Sequence, residues 1–166
     1  MSHSYETFRT PFGPFSIAVD DAGAVLATAF GDLAKLRERL QTCHLIGDKS
    51  AGARAREQVL AYLAGDRRDF DLPLAPRGTA FQQRVWTALR AIPFGETRSY
   101  GQLAAQLGNP AASRAVGRAN ATNPICLIVP CHRVIGADGS LTGFAFGEKL
   151  KQRLLEHERA LALRAA

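Results

Sequence analysis

The stretch "ICLIVPCHRVIGADG", residues 125–139, joins an apolar run to a cysteine and a histidine that stand side by side. The run at 125–129 is short and continuously apolar, which predicts a buried strand. Cys131 and His132 follow it, so a possible nucleophile and a possible base lie at the end of a hydrophobic segment. The stretch therefore predicts a core strand that ends at a reactive site.

The chemistry of this pair depends on local geometry. Cysteine attacks as the thiolate, and with an ordinary pKa of about 8.5 it needs a nearby base or positive field. In an extended segment adjacent side chains point to opposite faces, so Cys131 and His132 hydrogen bond directly only if the chain turns there. A water molecule between them is the other solution. A carboxylate that orients the histidine is expected from Glu156 or Glu158.

The cysteine content allows a plainer interpretation. Free cysteine is among the most buried residue types, so a structural thiol beside a surface histidine fits the dipeptide equally well. Cys126 lies inside the apolar run and is predicted to be a core thiol. The pair Cys43-His44 lies in a near-neutral region and is predicted to be structural. Three cysteines, without the spacing of a zinc site, argue against a disulfide framework and a metal.

Charge is unevenly distributed along the 166 residues, which suffice for one or two small domains. Residues 1–76 carry nine lysine and arginine residues against ten acidic ones, whereas residues 77–166 carry twelve against five. The basic second half favours a polyanion such as nucleic acid, with an inert basic surface as the alternative. No apolar run approaches the roughly 18 residues of a membrane span, and no secretory signal is evident, so a cytoplasmic protein is expected.

The first half has the pattern of an α/β domain. Strands are predicted at 15–19 and 24–30, joined by a hairpin turn at 20–23. Helices are predicted at 33–41 and 51–63 from their apolar spacing. The proline-bearing connector at 71–78 places a domain boundary after residue 76, giving domains at 1–76 and 77–166.

The second half is predicted to be mainly helical. Thr79 can cap a helix whose apolar stripe is core packing, with members Phe81, Val85, Trp86, Leu89 and Ile92. Two short helices at 99–107 and 111–121, around a glycine-containing turn, suggest a helix-turn-helix. Arg114 and Arg118 lie on one face of the second. A solvated helix pair is the alternative, and a last helix is predicted at 148–163.

These residues together resemble a known family. The segment "NPICLIVPCHRVIGADG", preceded by "IPFGETRSYGQLAAQLGNPAASRAVGRANATN" and followed by "LTGFAFGEKLKQRLLEHE", is similar to the O6-alkylguanine-DNA alkyltransferases, or methylated-DNA–protein-cysteine methyltransferases. The resemblance covers residues 79–159. It implies two domains. The N-terminal domain would be α/β, with a small antiparallel sheet and helices in a ribonuclease H-like fold. The C-terminal domain would be mainly α, with a winged helix-turn-helix.

The family resemblance implies an irreversible transfer of an alkyl group from guanine O6 to Cys131, without cofactor or metal. His132 would act as a base through a water molecule, and Glu158 would orient it. Asn123 would brace the active-site segment, and Tyr100 would lie at the target phosphate and base. Attack on an alkyl carbon gives a thioether, which has no easy hydrolytic route, so each chain acts once.

The resemblance implies that the partner is double-stranded DNA that contains O6-alkylguanine. The protein would bind it as a monomer through the minor groove. Whether O4-alkylthymine is also a substrate is left open. The target base must leave the helix, at a cost of a few kcal/mol that an intercalating side chain and phosphate contacts offset. The resemblance assigns intercalation to Arg114. The DNA-facing helix would present small residues that allow close approach, together with a second arginine: Ser113, Ala115, Gly117 and Arg118.

One part of the motif departs from the family. Many members carry tyrosine in place of Phe144, followed by a pair of glycines, whereas here Phe146 replaces a glycine. The pocket is expected to be narrower and to accept large groups such as benzyl poorly; aromatics packed beneath the loop are the alternative. The expected pocket residues are Tyr100, Val129, Pro130, Phe144, Ala145 and Phe146.

Two other functions fit parts of the sequence. A lesion-binding relative without chemistry would lack the cysteine, and Cys131 argues against that class. A cysteine hydrolase would use the same thiolate and histidine on an acyl group. Stoichiometry separates the three, because a binder transfers nothing, a transferase one group per chain, and a hydrolase turns over many times.

Overall fold

The chain has a mixed α/β fold, seen in a computed structural model that describes residues 3–40 and 44–164. Cys43, of the predicted structural pair, lies outside the described residues. The strands are β1 (His3–Thr10), β2 (Gly13–Val19), β3 (Val25–Phe30), β4 (Leu45–Gly47), β5 (Arg98–Ser99) and β6 (Val134–Ile135). The helices are α1 (Leu33–Leu40), α2 (Ala53–Leu63), α3 (Ala80–Arg90), α4 (Tyr100–Gln106), α5 (Ser113–Ala121) and α6 (Glu148–Arg164).

Contacts divide the chain into two units, each of which has its own core. The first contains Met1–Arg77 and Pro124–Ile128, and the second contains Gly78–Asn123 and Val129–Ala166. The chain thus leaves the second unit for five residues just before Cys131. No helix in the described ranges is both long and apolar enough to cross a bilayer.

The sheet of the first unit has the order β3-β2-β1-β4. Strand β2 pairs with β1 and with β3, both in antiparallel orientation, and β4 is parallel to β1. The predicted hairpin between β2 and β3 is confirmed: Asp20 Oδ1 accepts hydrogen bonds from the N–H groups of Ala22 and Ala24, both at 2.9 Å. Strands β1 and β4 were not predicted, because β1 is largely polar and β4 has only three residues.

The apolar run at 125–129 is a turn rather than the predicted strand. Only Ile125 makes a β-bridge, to Thr28. Leu127 has a φ of 71°, and the Ile128 N–H donates to the carbonyl of Cys126 at 2.9 Å. Prolines at both ends of the run lack the N–H that a central strand needs. A continuous apolar run indicates that the segment is buried, but its hydrophobic periodicity alone does not distinguish a strand from a buried turn.

Two helices of the second unit, α3 and α4, begin at a side-chain cap. Thr79 and Gln82 form a capping box at α3, as do Ser99 and Gln102 at α4. The predicted stripe of α3 is largely buried, and Trp86 Nε1 donates to the carbonyl of Ala119 at 2.8 Å. The two short helices α4 and α5 are present and separated by a 3-10 helix, Pro110–Ala112.

Candidate active site

The chain turns at the Cys-His pair. Residues Cys131–Arg133 form a 3-10 helix, in which the Cys131 N–H donates to the carbonyl of Val129 at 2.7 Å. Cys131 is only 5% exposed and His132 is fully buried. The alternative of a surface histidine is therefore wrong. Because the chain turns here, the side chains of Cys131 and His132 are not forced to opposite faces as they would be in an extended segment.

His132 has a buried carboxylate partner. Its Nε2 lies 2.7 Å from Glu158 Oε2, whereas Glu156 is exposed and accepts a hydrogen bond from Gln152. With a carboxylate as acceptor, Nε2 carries the hydrogen and Nδ1 keeps its lone pair. Nδ1 is buried and makes no hydrogen bond to another residue within the described parts of the chain.

The electrostatic surroundings keep His132 neutral. Burial lowers its pKa well below the ordinary 6.5, and the positive charges of Arg133 and Lys151 and the neighbouring His157 lower it further. A neutral imidazole with an open Nδ1 can accept a proton at that atom. His132 therefore has the protonation state and the tautomer of a general base at neutral pH.

Glu158 is held from the other side by Arg133, which the sequence analysis missed. Arg133 Nε and Nη2 bond its two oxygens at 2.8 and 2.9 Å, and Nη1 donates to the carbonyl of Ile92 at 2.7 Å. Burial raises the pKa of Glu158, with the Gly95 N–H acting in the opposite direction. The bidentate guanidinium favours the carboxylate form. The sequence contained a signal for this contact. Arg133 directly follows the Cys-His pair, and a charged side chain that is buried there needs a partner of opposite charge.

Two asparagines brace the backbone on either side of the cysteine. Asn123 Nδ2 donates to the carbonyl of Val129 at 3.0 Å, and Asn120 Nδ2 donates to the carbonyl of Cys131 at 3.3 Å. Both side chains are buried. The structure thus brings Asn123 to the segment where the sequence analysis expected it, and adds Asn120, three residues earlier on α5, which that analysis missed.

Tyr100, the first residue of α4, lies close enough to Cys131 to sense its charge. Burial raises the pKa of the phenol, the negative charge of a Cys131 thiolate raises it further, and a hydrogen bond with Asn120 opposes the rise. The hydroxyl donates to the carbonyl of Thr142 at 2.9 Å. Tyr100 therefore remains a protonated donor at neutral pH and contacts the segment that leads to Phe144.

The expected pocket residues differ in exposure. Val129, Pro130 and Phe144 are buried, Phe146 is half-buried and Ala145 is exposed. The rings of Phe144 and Phe146 meet edge to face, 5.6 Å apart at an interplanar angle of 67°. The two aromatics therefore pack against each other in the loop that precedes α6.

Glycine is required between Thr142 and Phe144. Gly143 has a φ of 86°, and a Cβ there would lie 2.5 Å from the Tyr100 hydroxyl. The close approach of Tyr100 to this loop depends on that missing side chain.

The predicted DNA-facing residues lie along α5. Arg114 and Arg118 are exposed, one helical turn apart, whereas Val116 and Ala119 form the buried face. The small residues beside the arginines, Ser113, Ala115 and Gly117, are half-buried. No three metal-ligating side chains come together among residues 3–40 and 44–164.

Comparison with known proteins gives a consistent result. Residues 80–160 match the family described as 6-O-methylguanine DNA methyltransferase, DNA binding domain. The methylated-DNA–protein-cysteine methyltransferase of Mycobacterium tuberculosis is 51% identical over 158 residues, which are 95% of this chain and 93% of the relative. The enzyme of the same name from Methanosarcina acetivorans is 46% identical over 93% of this chain and 97% of its own length.

Solved structures agree with the sequence comparison. The crystal structure of Mycobacterium tuberculosis OGT in complex with DNA is similar, with a TM-score of 0.86 and 45% identity, over 95% of this chain and 94% of that one. The O6-methylguanine-DNA methyltransferase of Pyrococcus kodakaraensis has a TM-score of 0.64 and 25% identity, over 94% of this chain and 98% of that one. With relatives this similar over nearly its whole length, the chain belongs to the methylated-DNA–protein-cysteine methyltransferase family.

Proposed function

We propose that this protein repairs DNA by transferring an alkyl group, typically methyl, from guanine O6 to Cys131, which is consumed in the reaction. The observation that carries the proposal is the buried hydrogen bond between His132 and Glu158, directly beside Cys131, with Nδ1 open on the other side of the ring. A thiol in that position has a general base next to it. Membership of the family supplies the substrate class.

In the proposed reaction a water molecule relays the proton of Cys131 to His132 Nδ1. The thiolate attacks the alkyl carbon, so that a sulfur–carbon bond forms as the carbon–O6 bond breaks. The electron pair of the broken bond returns to the purine, which takes up one proton and leaves as guanine. Glu158 stabilises the imidazolium that exists in between. The thioether product resists water, so one chain repairs one lesion.

The DNA complex is proposed to place α5 in the minor groove. The fold is proposed to combine a ribonuclease H-like first domain, 1–76, with a winged helix-turn-helix second domain, 77–166, in which α4 and α5 form the helix pair. Small residues on α5 permit close approach, and Arg118 is available for a phosphate. The enzyme is proposed to act as a monomer in the cytoplasm, where DNA is accessible.

Arg114 is proposed to fill the stack when the target base is extruded. It is exposed on α5, and extrusion requires a side chain that replaces the lost stacking. Arg114→Ala is expected to weaken binding to a duplex with O6-methylguanine more than binding to undamaged duplex. Equal losses in a fluorescence anisotropy titration would contradict this role.

The pocket is proposed to lie beside Cys131, with Tyr100, Val129, Pro130, Phe144, Ala145 and Phe146 as its lining. Phe146 brings bulk where many relatives carry glycine, and its ring packs against Phe144. The pocket therefore favours small alkyl groups over benzyl. O4-alkylthymine is a further substrate to be tested in the same assay.

The decisive experiment is intact mass spectrometry after incubation with a duplex that contains O6-methylguanine. The expected result is the gain of one methyl group per chain, a net CH2, mapped by peptide digestion to Cys131. An unchanged mass despite binding would identify a lesion-binding protein without transfer. Repeated turnover of a thioester substrate would identify a hydrolase.

A further inference from the structure

The chain leaves the second unit just before the reactive cysteine and returns to it through a short loop. The loop is Pro124–Ile128, which belongs to the first unit, whereas the residues at its two ends, Asn123 and Val129, belong to the second. Asn123 Nδ2 donates to the carbonyl of Val129 at 3.0 Å and so closes the base of the loop. Cys131 lies two residues beyond that base. The way in which the loop is held therefore bears on the position of Cys131.

One residue of the first unit holds this 124–128 loop by two hydrogen bonds. Thr28 lies on β3, the edge strand of the sheet. Its N–H donates to the carbonyl of Pro124 at 2.9 Å, and its hydroxyl donates to the carbonyl of Cys126 at 2.8 Å. Ile125, between the two acceptors, forms a β-bridge with the same threonine. Thr28 thus fixes the first half of the loop from a position 98 residues earlier in the chain.

The conformation of the loop depends on contacts from elsewhere in the chain. Leu127 has a φ of 71°, in the left-handed region that a leucine rarely adopts, because its Cβ crowds the backbone there. Such a conformation persists only where the surroundings determine it. Thr28, Cys126 and Leu127 are all buried, so the carbonyl of Cys126 needs a partner within the protein. The Thr28 hydroxyl supplies that partner one residue before the left-handed leucine.

We infer that Thr28 is a positioning residue for Cys131: its hydroxyl fixes the 124–128 loop, and the loop fixes the backbone that carries the nucleophile. The effect on transfer rests on the proposed function, whereas the effect on the backbone does not require DNA. Misplacement of a reacting group by about 1 Å can cost roughly a hundredfold in rate. The first unit therefore contributes to the reaction through the geometry of the cysteine.

Three variants isolate the hydroxyl of Thr28. Thr28→Val removes the hydroxyl and keeps the branched shape, and Thr28→Ser keeps a hydroxyl. Ser16→Ala is the matched control, because Ser16 is also fully buried and its hydroxyl donates to the carbonyl of Gly31 at 2.7 Å. Ser16 pairs with Ala29, the neighbour of Thr28, so its side chain points to the opposite face of the sheet. The control therefore removes a buried hydrogen bond of the same sheet without touching the loop.

The first test is single-turnover methyl transfer from an O6-methylguanine duplex at saturating protein. The rate constant of Thr28→Val is expected to fall about tenfold or more, with an unchanged protein concentration at half-maximal rate. Thr28→Ser and Ser16→Ala should keep the wild-type rate constant. A purely structural role would lower the fraction of chains that accept methyl from excess duplex, without changing the rate constant. Equal rate constants in wild type and folded Thr28→Val overturn the role in transfer.

The second test measures the backbone without DNA, by hydrogen exchange of single amides in NMR spectra. The Ile128 N–H donates to the carbonyl of Cys126, and the Cys131 N–H donates to that of Val129. Both amides are expected to exchange roughly tenfold faster in Thr28→Val, the fold-change of one lost hydrogen bond, and at the wild-type rate in Thr28→Ser and Ser16→Ala. Unchanged exchange in folded Thr28→Val overturns the inference. If wild type transfers no methyl group while exchange differs, the proposed function fails and the positioning effect stands.

A fourth variant covers the case in which Thr28→Val does not fold. Thr28→Cys keeps a donor, but a thiol donates a weaker hydrogen bond than a hydroxyl. Under reducing conditions its transfer rate constant is expected to lie below those of wild type and Thr28→Ser, and its Cys131 amide is expected to exchange faster. Peptide digestion separates methylation at position 28 from methylation at Cys131. A rate constant and an exchange rate equal to those of wild type overturn the inference.

Discussion

Cys126 and Cys131 lie five residues apart, are both buried, and have different surroundings. Cys126 belongs to the first unit, where the Thr28 hydroxyl donates to its carbonyl at 2.8 Å and lies 3.2 Å from its sulfur. Cys131 belongs to the second unit, beside a neutral histidine, and interacts electrostatically with the ammonium of Lys151. Burial is common to both, so the ionisable neighbours are what distinguishes the two thiols.

The largest expected effect separates these two cysteines. Cys131→Ala should abolish methyl transfer while leaving DNA binding largely intact, because the helix proposed to face DNA, α5, does not contain the thiol. Cys126→Ala should keep one methyl per chain and lower the free energy of unfolding by about 1 kcal/mol, for a small lost side chain in a core. Intact mass spectrometry and urea denaturation measure both. Methylation of the Cys131→Ala protein would move the acceptor to another cysteine.

A second prediction concerns the carboxylate that distinguishes the surroundings of Cys131. Glu158→Gln should slow transfer roughly a hundredfold, the usual contribution of an oriented general base. It should also lower the free energy of unfolding by about 3 kcal/mol, because Arg133 is left buried without its partner. Single-turnover kinetics and denaturant unfolding report the two effects. Glu156→Gln, exposed on the same helix, is the control and should resemble wild type.

The third prediction tests the proposed wall of the substrate pocket, Phe146. Phe146→Gly removes the ring that packs against Phe144, so reaction with O6-benzylguanine should become several-fold faster, with a smaller change for a methylated duplex. Competition between the two substrates measures the ratio. A ratio that does not change would mean that the two aromatics only pack beneath the loop.

The smallest expected effect is a pH dependence. His132 has a pKa well below 6.5, so its ring should stay neutral at pH 6 in a histidine NMR titration. The unfolded chain would bind a proton that the native histidine does not, so this residue makes the native state less stable as the pH falls below about 6.5. A titration midpoint near 6.5 for His132 would show that its ring is not desolvated.

The same contrast explains which features could be predicted from sequence. The starts of α3 and α4 depend on capping boxes whose members are three residues apart, so local pattern was sufficient. The motif around Cys131, with Glu158 on the last helix, led to the candidate nucleophile, base and orienting carboxylate. The catalytic roles themselves stay predictions until the transfer experiments are done.

Other features depended on residues far apart in sequence. Arg133 reaches Glu158, and Lys151 reaches Thr142 and Val134, through contacts that no local periodicity encodes. The short strands β5 and β6 pair across more than thirty residues, with Arg98 opposite Val134. Two-residue strands carry too little pattern to be recognised along the chain.

By itself, the sequence determined the mixed α/β composition, the capped helices, the basic second half and the identity of the candidate nucleophile, because these depend on residue type and short spacing. Tertiary structure alone decided that the run at 125–129 turns, that Cys126 is held by Thr28, and that the cysteine segment is surrounded by Arg133 and Lys151. The physical reason is that desolvation and pairing of buried charges depend on which distant groups meet, and only the folded chain brings them together.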